Sequence, residues 1–208
     1  MASKWLTQLA SELEKSTPDR HVGHIDSIAE WIAQQHQKDE KANVSFICTH
    51  NSRRSQFAQV WFKVVQIYAG MDIAYSFSGG TEVTACNERT IASLKRTGLK
   101  IKSQNSEADN PVYEVSFNNS PEPVLKLWSK VYNDDQNPST DFAAVMTCDH
   151  ADQNCPFIPG ASIRVPLTYT DPKYADNTNE EAQAYDKTCK IIATDMIRLF
   201  NKINRLIS

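Results

Sequence analysis

The 208-residue chain carries a net charge of −3 and five cysteines, and it is long enough to bury a substantial core in one decorated domain. No basic block suggests a nucleic-acid surface, and no apolar run approaches the roughly 20 residues that span a bilayer. An odd cysteine count argues against a disulfide framework, and the start Met1-Ala-Ser-Lys-Trp-Leu-Thr-Gln8 lacks an apolar leader. A soluble, cytoplasmic protein with reduced thiols and neither nucleic-acid nor membrane partners is therefore expected.

Trp5, Leu6, Leu9 and Leu13 fall at helical spacing, and Ser16-Thr17-Pro18-Asp19 supplies a stop, a cap and a proline for the next start. Ile25, Ile28, Trp31 and Ile32 form a second stripe, followed by the polar connector Gln37-Lys-Asp-Glu-Lys41. Residues 1–41 read as an N-terminal helical extension on a main domain of residues 42–208.

In that domain Val44, Phe46 and Ile47 read as a buried strand, and Phe57, Trp61, Val64 and Tyr68 recur at helical spacing from Arg54 onward. Between them runs Cys48-Thr49-His50-Asn51-Ser52-Arg53-Arg54-Ser55, a Cys-x5-Arg pattern in a strand-loop-helix setting. A loop that wraps before a helix N-terminus turns backbone N–H groups inward, which suits a tetrahedral oxyanion and also a thiolate. Those dipoles and Arg54 favour only the charged form of Cys48, so its pKa is expected well below that of a free thiol. The planar Arg54 fork can clamp two anion oxygens, and Ser55 can donate to the sulfur. Weighed against this stands a small apolar cysteine at a strand end; the setting favours the functional loop.

Ile73 to Phe77 alternates like a strand and runs into Ser78-Gly79-Gly80-Thr81-Glu82, where paired glycines permit a sharp turn or a close backbone approach. Asn87 caps a helix over Ile91 and Leu94 that stops at Gly98. Such alternation implies an α/β fold, a parallel sheet with helices on both faces. Residues 103–138 break the rhythm. Within them, 111–117 and 124–128 read as two strands of an inserted hairpin around Asn118-Asn-Ser-Pro-Glu-Pro123.

Residues 142–146 form another buried strand, which delivers Cys148-Asp-His150-Ala-Asp152-Gln-Asn-Cys155-Pro156 to the edge where open α/β sheets place ligands. The two cysteines read either as a redox pair or as inert. Zinc held with His150 and Asp152 fits poorly, because Cys-x2-Cys spacing is missing. A last strand over 163–165 leads to Asp171-Pro172-Lys-Tyr174, and Asp171 reads as a general acid or as a turn residue. From Glu180 a long helix presents Tyr185, Cys189, Ile192, Met196, Leu199, Ile203 and Leu206 on one stripe, which makes Cys189 a core residue.

Four separated motifs, Cys48 to Ser55, Ser78 to Glu82, Cys148 to Pro156 and Asp171-Pro172, stand in an order that resembles the low-molecular-weight protein tyrosine phosphatase superfamily, above all its thioredoxin-coupled arsenate reductases. The resemblance covers about residues 43–204 without 103–138. It implies a four-stranded parallel sheet, Cys48 as nucleophile, Arg54 as oxyanion clamp, Ser55 as thiolate donor and Asp171 as general acid. Thr49, His50, Asn51, Ser52 and Arg53 complete the oxyanion-binding loop, whose shape Asn51 helps to hold. No cofactor and no metal are called for.

For a reductase, the resemblance implies that Cys48 attacks arsenate, Cys148 attacks Cys48 to release arsenite, and Cys155 resolves that disulfide so that thioredoxin can reduce it. Cys86 has no part in this relay and reads as structural. For a tyrosine phosphatase, it implies a cysteinyl-phosphate with Asp171 protonating the leaving phenolate. Tyr174 then either lines the phosphotyrosine pocket or simply packs its loop. A non-catalytic anion-binding protein would have lost one of Cys48, Arg54 or Asp171, and all are present.

Three positions depart from the pattern. His50 stands where glycine is usual, and a positive φ there would cost roughly 1 kcal/mol. Arg53 replaces Cys or Ser and adds positive charge beside the loop. Gln59 stands where some arsenate reductases carry a glutamate that helps to bind potassium, which leaves a potassium requirement open.

Overall fold

The computed structural model describes residues 2–13, 21–118, 120–155 and 157–208. The cap expected at Ser16 to Asp19, Asn119 of the inserted turn and Pro156 after the second relay cysteine lie outside them. Helices α1 (Ala2–Leu13) and α2 (Val22–His36) come first, then strand β1 (Ala42–Cys48), helix α3 (Arg54–Tyr68), β2 (Ala74–Gly80) and α4 (Glu88–Arg96). Next are three short strands, β3 (Lys100–Ser103), β4 (Tyr113–Ser116) and β5 (Leu125–Leu127). The chain ends with β6 (Phe142–Met146), α5 (Asp149–Asn154), β7 (Ala161–Pro166), a 3-10 turn over Pro172–Ala175 and α6 (Glu181–Ile207).

Four strands form one sheet in the order β2-β1-β6-β7, and every pair is parallel. Within β1 the side chains of Phe46 and Ile47 enter different cores, as the period of two requires, and Cys48, where the strand ends, departs from that alternation. Val44 and Phe46 join the larger core with α2, α3 and α6, while Ile47 and Cys48 join a smaller one with Met146, Cys148 and Ala151 on the opposite face. Helices thus cover both faces. No helix among the described residues is long and apolar enough to cross a membrane.

Helix α3 differs from its expected single stripe: besides Phe57, Trp61 and Val64, it buries Ser55, Gln56, Gln59 and Gln66, so only its end at Tyr68 is exposed. It is wedged between sheet and α6, and Trp5 of α1 stacks on Trp61 with centroids 4.9 Å apart. On α6 the expected stripe is buried from Tyr185 to Ile203, and Leu206 at its end is exposed.

The expected inserted hairpin is present as β4 and β5, and Lys100–Ser103 pairs with β4 to extend it to a three-stranded antiparallel sheet, β3-β4-β5. Only Ile101 of that strand is buried, so it lacked the apolar run that marks a strand in sequence. The glycine pair also makes no turn. Both residues stay in β2, and a Cβ on Gly80 would come within 2.6 Å of the Thr49 carbonyl oxygen and 2.8 Å of the Asn51 nitrogen. Close approach is the reason for glycine there.

Candidate active site

β1 ends at Cys48 and α3 starts at Arg54, so the polar run between them wraps at the C-terminal edge of the sheet. Cys48 is 3 % exposed. Its Sγ accepts the Asn51 N–H at 3.2 Å and lies 3.1 Å from Ser55 Oγ. Asn51 Nδ2 donates to Ser55 Oγ at 2.9 Å, which leaves the Ser55 hydroxyl hydrogen for the sulfur.

His50 is not among the positive-φ residues, so the conditional cost does not arise there, and the loop's positive φ falls on Asn51, at 47°. Asparagine tolerates that region better than most residues. The Ser78 to Glu82 motif braces the loop from below: Thr81 N–H donates to the Cys48 carbonyl at 3.2 Å and Glu82 N–H to that of Thr49 at 2.9 Å.

Arg54 closes the loop. One arm donates to the Tyr169 carbonyl at 3.1 Å and the other to Asp171 Oδ2 at 2.8 Å, while its buried Nε has no hydrogen-bond partner among the described residues. Asp171 also caps the 3-10 turn by accepting the Lys173 N–H at 3.1 Å. It is therefore both a turn residue and a carboxylate beside the loop.

Arg53 brings its positive charge beside the loop already engaged by distant residues. Its Nε donates to the Tyr185 hydroxyl at 2.8 Å, and its Nη2 lies 3.5 Å from Asp176. Burial pushes the Tyr185 hydroxyl up to about 12, Arg53 acting against this shift and Asp176 with it. Tyr185 thus stays protonated and donates to Asp176 at 2.8 Å.

Tyr174 is exposed and faces a small hollow with Tyr169, Ala184 and Ile191. Lys173 is the residue of that turn that lines the groove of about 600 Å³ beside His50, Ser52 and Arg53. The Gln59 amide is spent between α3 and β2, accepting from Ser78 Oγ at 2.6 Å and donating to the Ser76 carbonyl at 3.2 Å.

Cys148 is fully buried, with its Sγ 3.6 Å from Thr49 Oγ1. The polar segment after it is helical. Cys148 caps α5, its sulfur accepting the Ala151 N–H at 3.3 Å, and half-buried Cys155 ends the helix. Arg164 of β7 clasps that helix end through the Cys155 carbonyl at 2.9 Å and Asp152 Oδ1 at 2.7 Å. The His150 ring lies 3.2 Å from Thr49 Oγ1, so the two residues of the zinc alternative face different partners. Burial pushes the Cys86 and Cys189 thiols up to about 12, as befits packing residues, with Lys130 opposing the shift at Cys86.

Sequence reasoning missed three residues that hold the loop. Gln56 Nε2 donates to the Asn51 carbonyl at 2.8 Å, Ser129 Oγ to that of His50 at 2.9 Å, and Lys130 N–H to Asn51 Oδ1 at 3.0 Å. Ser129 and Lys130 lie far along the chain, and no local pattern marks them.

No family model matches the chain. It is similar to an arsenate reductase of Halalkalibacterium halodurans, 29% identical over 144 residues that make up 69% of this chain and 84% of that protein. An arsenate reductase of Bacillus cereus is 26% identical over 159 residues, 72% of this chain and 98% of that protein. Among solved structures, a low-molecular-weight phosphotyrosine phosphatase from Vibrio cholerae superimposes with a TM-score of 0.50 at 10% identity, covering 79% of this chain and 97% of that one. That likeness concerns the fold.

Proposed function

We propose that this chain, a member of the low-molecular-weight protein tyrosine phosphatase superfamily, reduces arsenate to arsenite through Cys48, Cys148 and Cys155, with thioredoxin as reductant. The observation that carries the reading is the second thiol's position: Cys148 Sγ is 3.6 Å from Thr49 Oγ1, within the loop that holds the first thiol. The sequence likeness to arsenate reductases supports it.

In this reading, Cys48 thiolate attacks arsenate and one arsenate oxygen leaves as water, giving a sulfur–arsenic bond. Cys148 then attacks Cys48 Sγ. A Cys48–Cys148 disulfide forms, the sulfur–arsenic electron pair stays on arsenic, and arsenite leaves. Cys155 next attacks Cys148 and expels Cys48 as thiolate. A thioredoxin dithiol reduces the Cys148–Cys155 disulfide, so two electrons pass for each arsenate.

Helix geometry attaches a condition to the third step. Seven residues of helical rise separate the α carbons of Cys148 and Cys155 by about 10 Å, whereas a disulfide holds them roughly 4.4–6.8 Å apart. Helix α5 therefore unwinds before that bond forms. The test of the reading is NADPH consumption with thioredoxin, thioredoxin reductase and arsenate, against the same mixture without arsenate. Sustained arsenate-dependent turnover supports it; absence of turnover, with the thioredoxin system active on another substrate, overturns it.

Phosphomonoester hydrolysis is the second reading, favoured by the Asp171 carboxylate 2.8 Å from Arg54. Here Cys48 attacks phosphorus, Asp171 protonates the departing oxygen and then activates water to break the cysteinyl-phosphate. Hydrolysis of phosphotyrosine that persists in Cys148→Ser would establish it.

A further inference from the structure

The insert returns to the main domain through Trp128, Ser129 and Lys130, and each of the three touches the frame of the oxyanion loop. Ser129 is 1 % exposed. Its hydroxyl donates to the His50 carbonyl at 2.9 Å and accepts the Thr84 N–H at 3.0 Å. Lys130 N–H donates to Asn51 Oδ1 at 3.0 Å, and the Trp128 carbonyl accepts from Gln56 Nε2 at 2.9 Å. Asn110, on the outward limb of the insert, locks Ser129 in place by accepting its N–H at 3.0 Å and donating to its carbonyl at 2.8 Å.

The His50 carbonyl belongs to the same peptide unit as the Asn51 N–H, and in a trans peptide the two point in opposite directions. Holding that oxygen outward therefore aims the N–H inward, at Cys48 Sγ 3.2 Å away. The plane needs holding, because Asn51 sits at a positive φ of 47°. Thr84 Oγ1 also reaches the His50 oxygen, at 3.2 Å, so Ser129 supplies the shorter of two hydroxyl contacts.

We propose that Ser129 is a positioning residue for the oxyanion loop: held by Asn110, it fixes the His50–Asn51 peptide plane so that the Asn51 N–H faces the Cys48 sulfur. The inserted sheet is then part of the site's frame. The proposal rests on the reading of the Cys48 loop as an oxyanion site, and its test separates the two.

Alkylation of Cys48 by iodoacetamide is followed by mass spectrometry at fixed pH, alone and with increasing inorganic phosphate. In Ser129→Ala, the alkylation rate is expected to fall and the phosphate concentration giving half-protection to rise, each about tenfold, the worth of one buried hydrogen bond. Ser129→Thr, which keeps the hydroxyl, is expected to restore both. A folded Ser129→Ala protein with parental rate and half-protection would overturn the proposal. Should that variant not fold, folded Asn110→Ala is read in the same way: a smaller shift in the same direction supports the brace, and parental values overturn it. A parent that phosphate does not protect would overturn the oxyanion reading itself.

Discussion

The two thiol-bearing segments at the edge of the sheet are held in opposite ways. Around Cys48 the loop's own Asn51 N–H is joined by restraints from several parts of the chain: Thr81 and Glu82 just after β2, Ser55 and Gln56 of α3, and Ser129 and Lys130 of the insert. Between buried Cys148 and half-buried Cys155 runs the six-residue helix Asp149–Asn154, in which Ala151 alone is buried, clasped at its end by Arg164. A helix that short has little stability of its own. The contrast matches the demands of the proposed chemistry, in which the first thiol stays fixed to meet an anion and the second must travel to its partner.

Removing the fixed thiol has the largest expected effect. Cys48→Ser should lower both arsenate reduction and phosphomonoester hydrolysis by more than roughly 10⁴-fold, as loss of a nucleophile does. Cys155→Ser should instead release about one arsenite per enzyme in a single burst and then stop, which rapid-quench measurement of arsenite shows directly. Multiple turnovers by that variant with thioredoxin would break the contrast, since the travelling thiol would have no task. Asp171→Asn should lower phosphotyrosine hydrolysis by about 10²–10³-fold, within the usual range for a general acid, and arsenate reduction much less. In the relay segment, Arg164→Gln frees the end of α5, so formation of the Cys148–Cys155 disulfide should accelerate by several-fold. Stopped alkylation and mass mapping would show it, and an unchanged rate would mean that the Arg164 clasp is not what restrains the helix.

The parallel sheet and its helices were legible because each element carries its own apolar period, from Val44 and Phe46 in β1 to the stripe on α6. Cys48, Arg54, Ser55 and Asp171 were singled out by their order along the chain, and the structure sets Ser55 beside Cys48 and Asp171 beside Arg54. What escaped detection was fixed by distant contacts. β3 is a strand because Tyr113 to Ser116 pairs with it, not because its own sequence demands it. Arg53 showed in sequence only as added positive charge, and its partners Tyr185 and Asp176 come from more than 120 residues away. The helix over Asp149–Asn154 was hidden by its polarity, which leaves too few apolar residues to show a period.

The rigid side of the molecule also holds a buried charge, and its cost is measurable. Lys130 is 4 % exposed, its ammonium 4.0 Å from the centre of the Trp128 ring. Burial lowers its pKa to about 8, with Asp134 and Cys86 acting in the opposite direction. A displacement of that size corresponds to at most about 3 kcal/mol. The folded state releases this proton more readily than the unfolded chain, so stability is lowest below pH 8 and rises as pH climbs from about 8 toward the unfolded value of 10.5. Lys130→Met keeps the backbone bond to Asn51 and removes the charge. It should therefore raise the unfolding free energy at pH 7, and its advantage over the parent should shrink above pH 8. Urea unfolding of both proteins from pH 6.5 to 9.5 measures the difference. A constant gap across that range would show that the ammonium is as well solvated in the fold as outside it; a variant less stable than the parent at pH 7 would show that the Trp128 contact outweighs the burial.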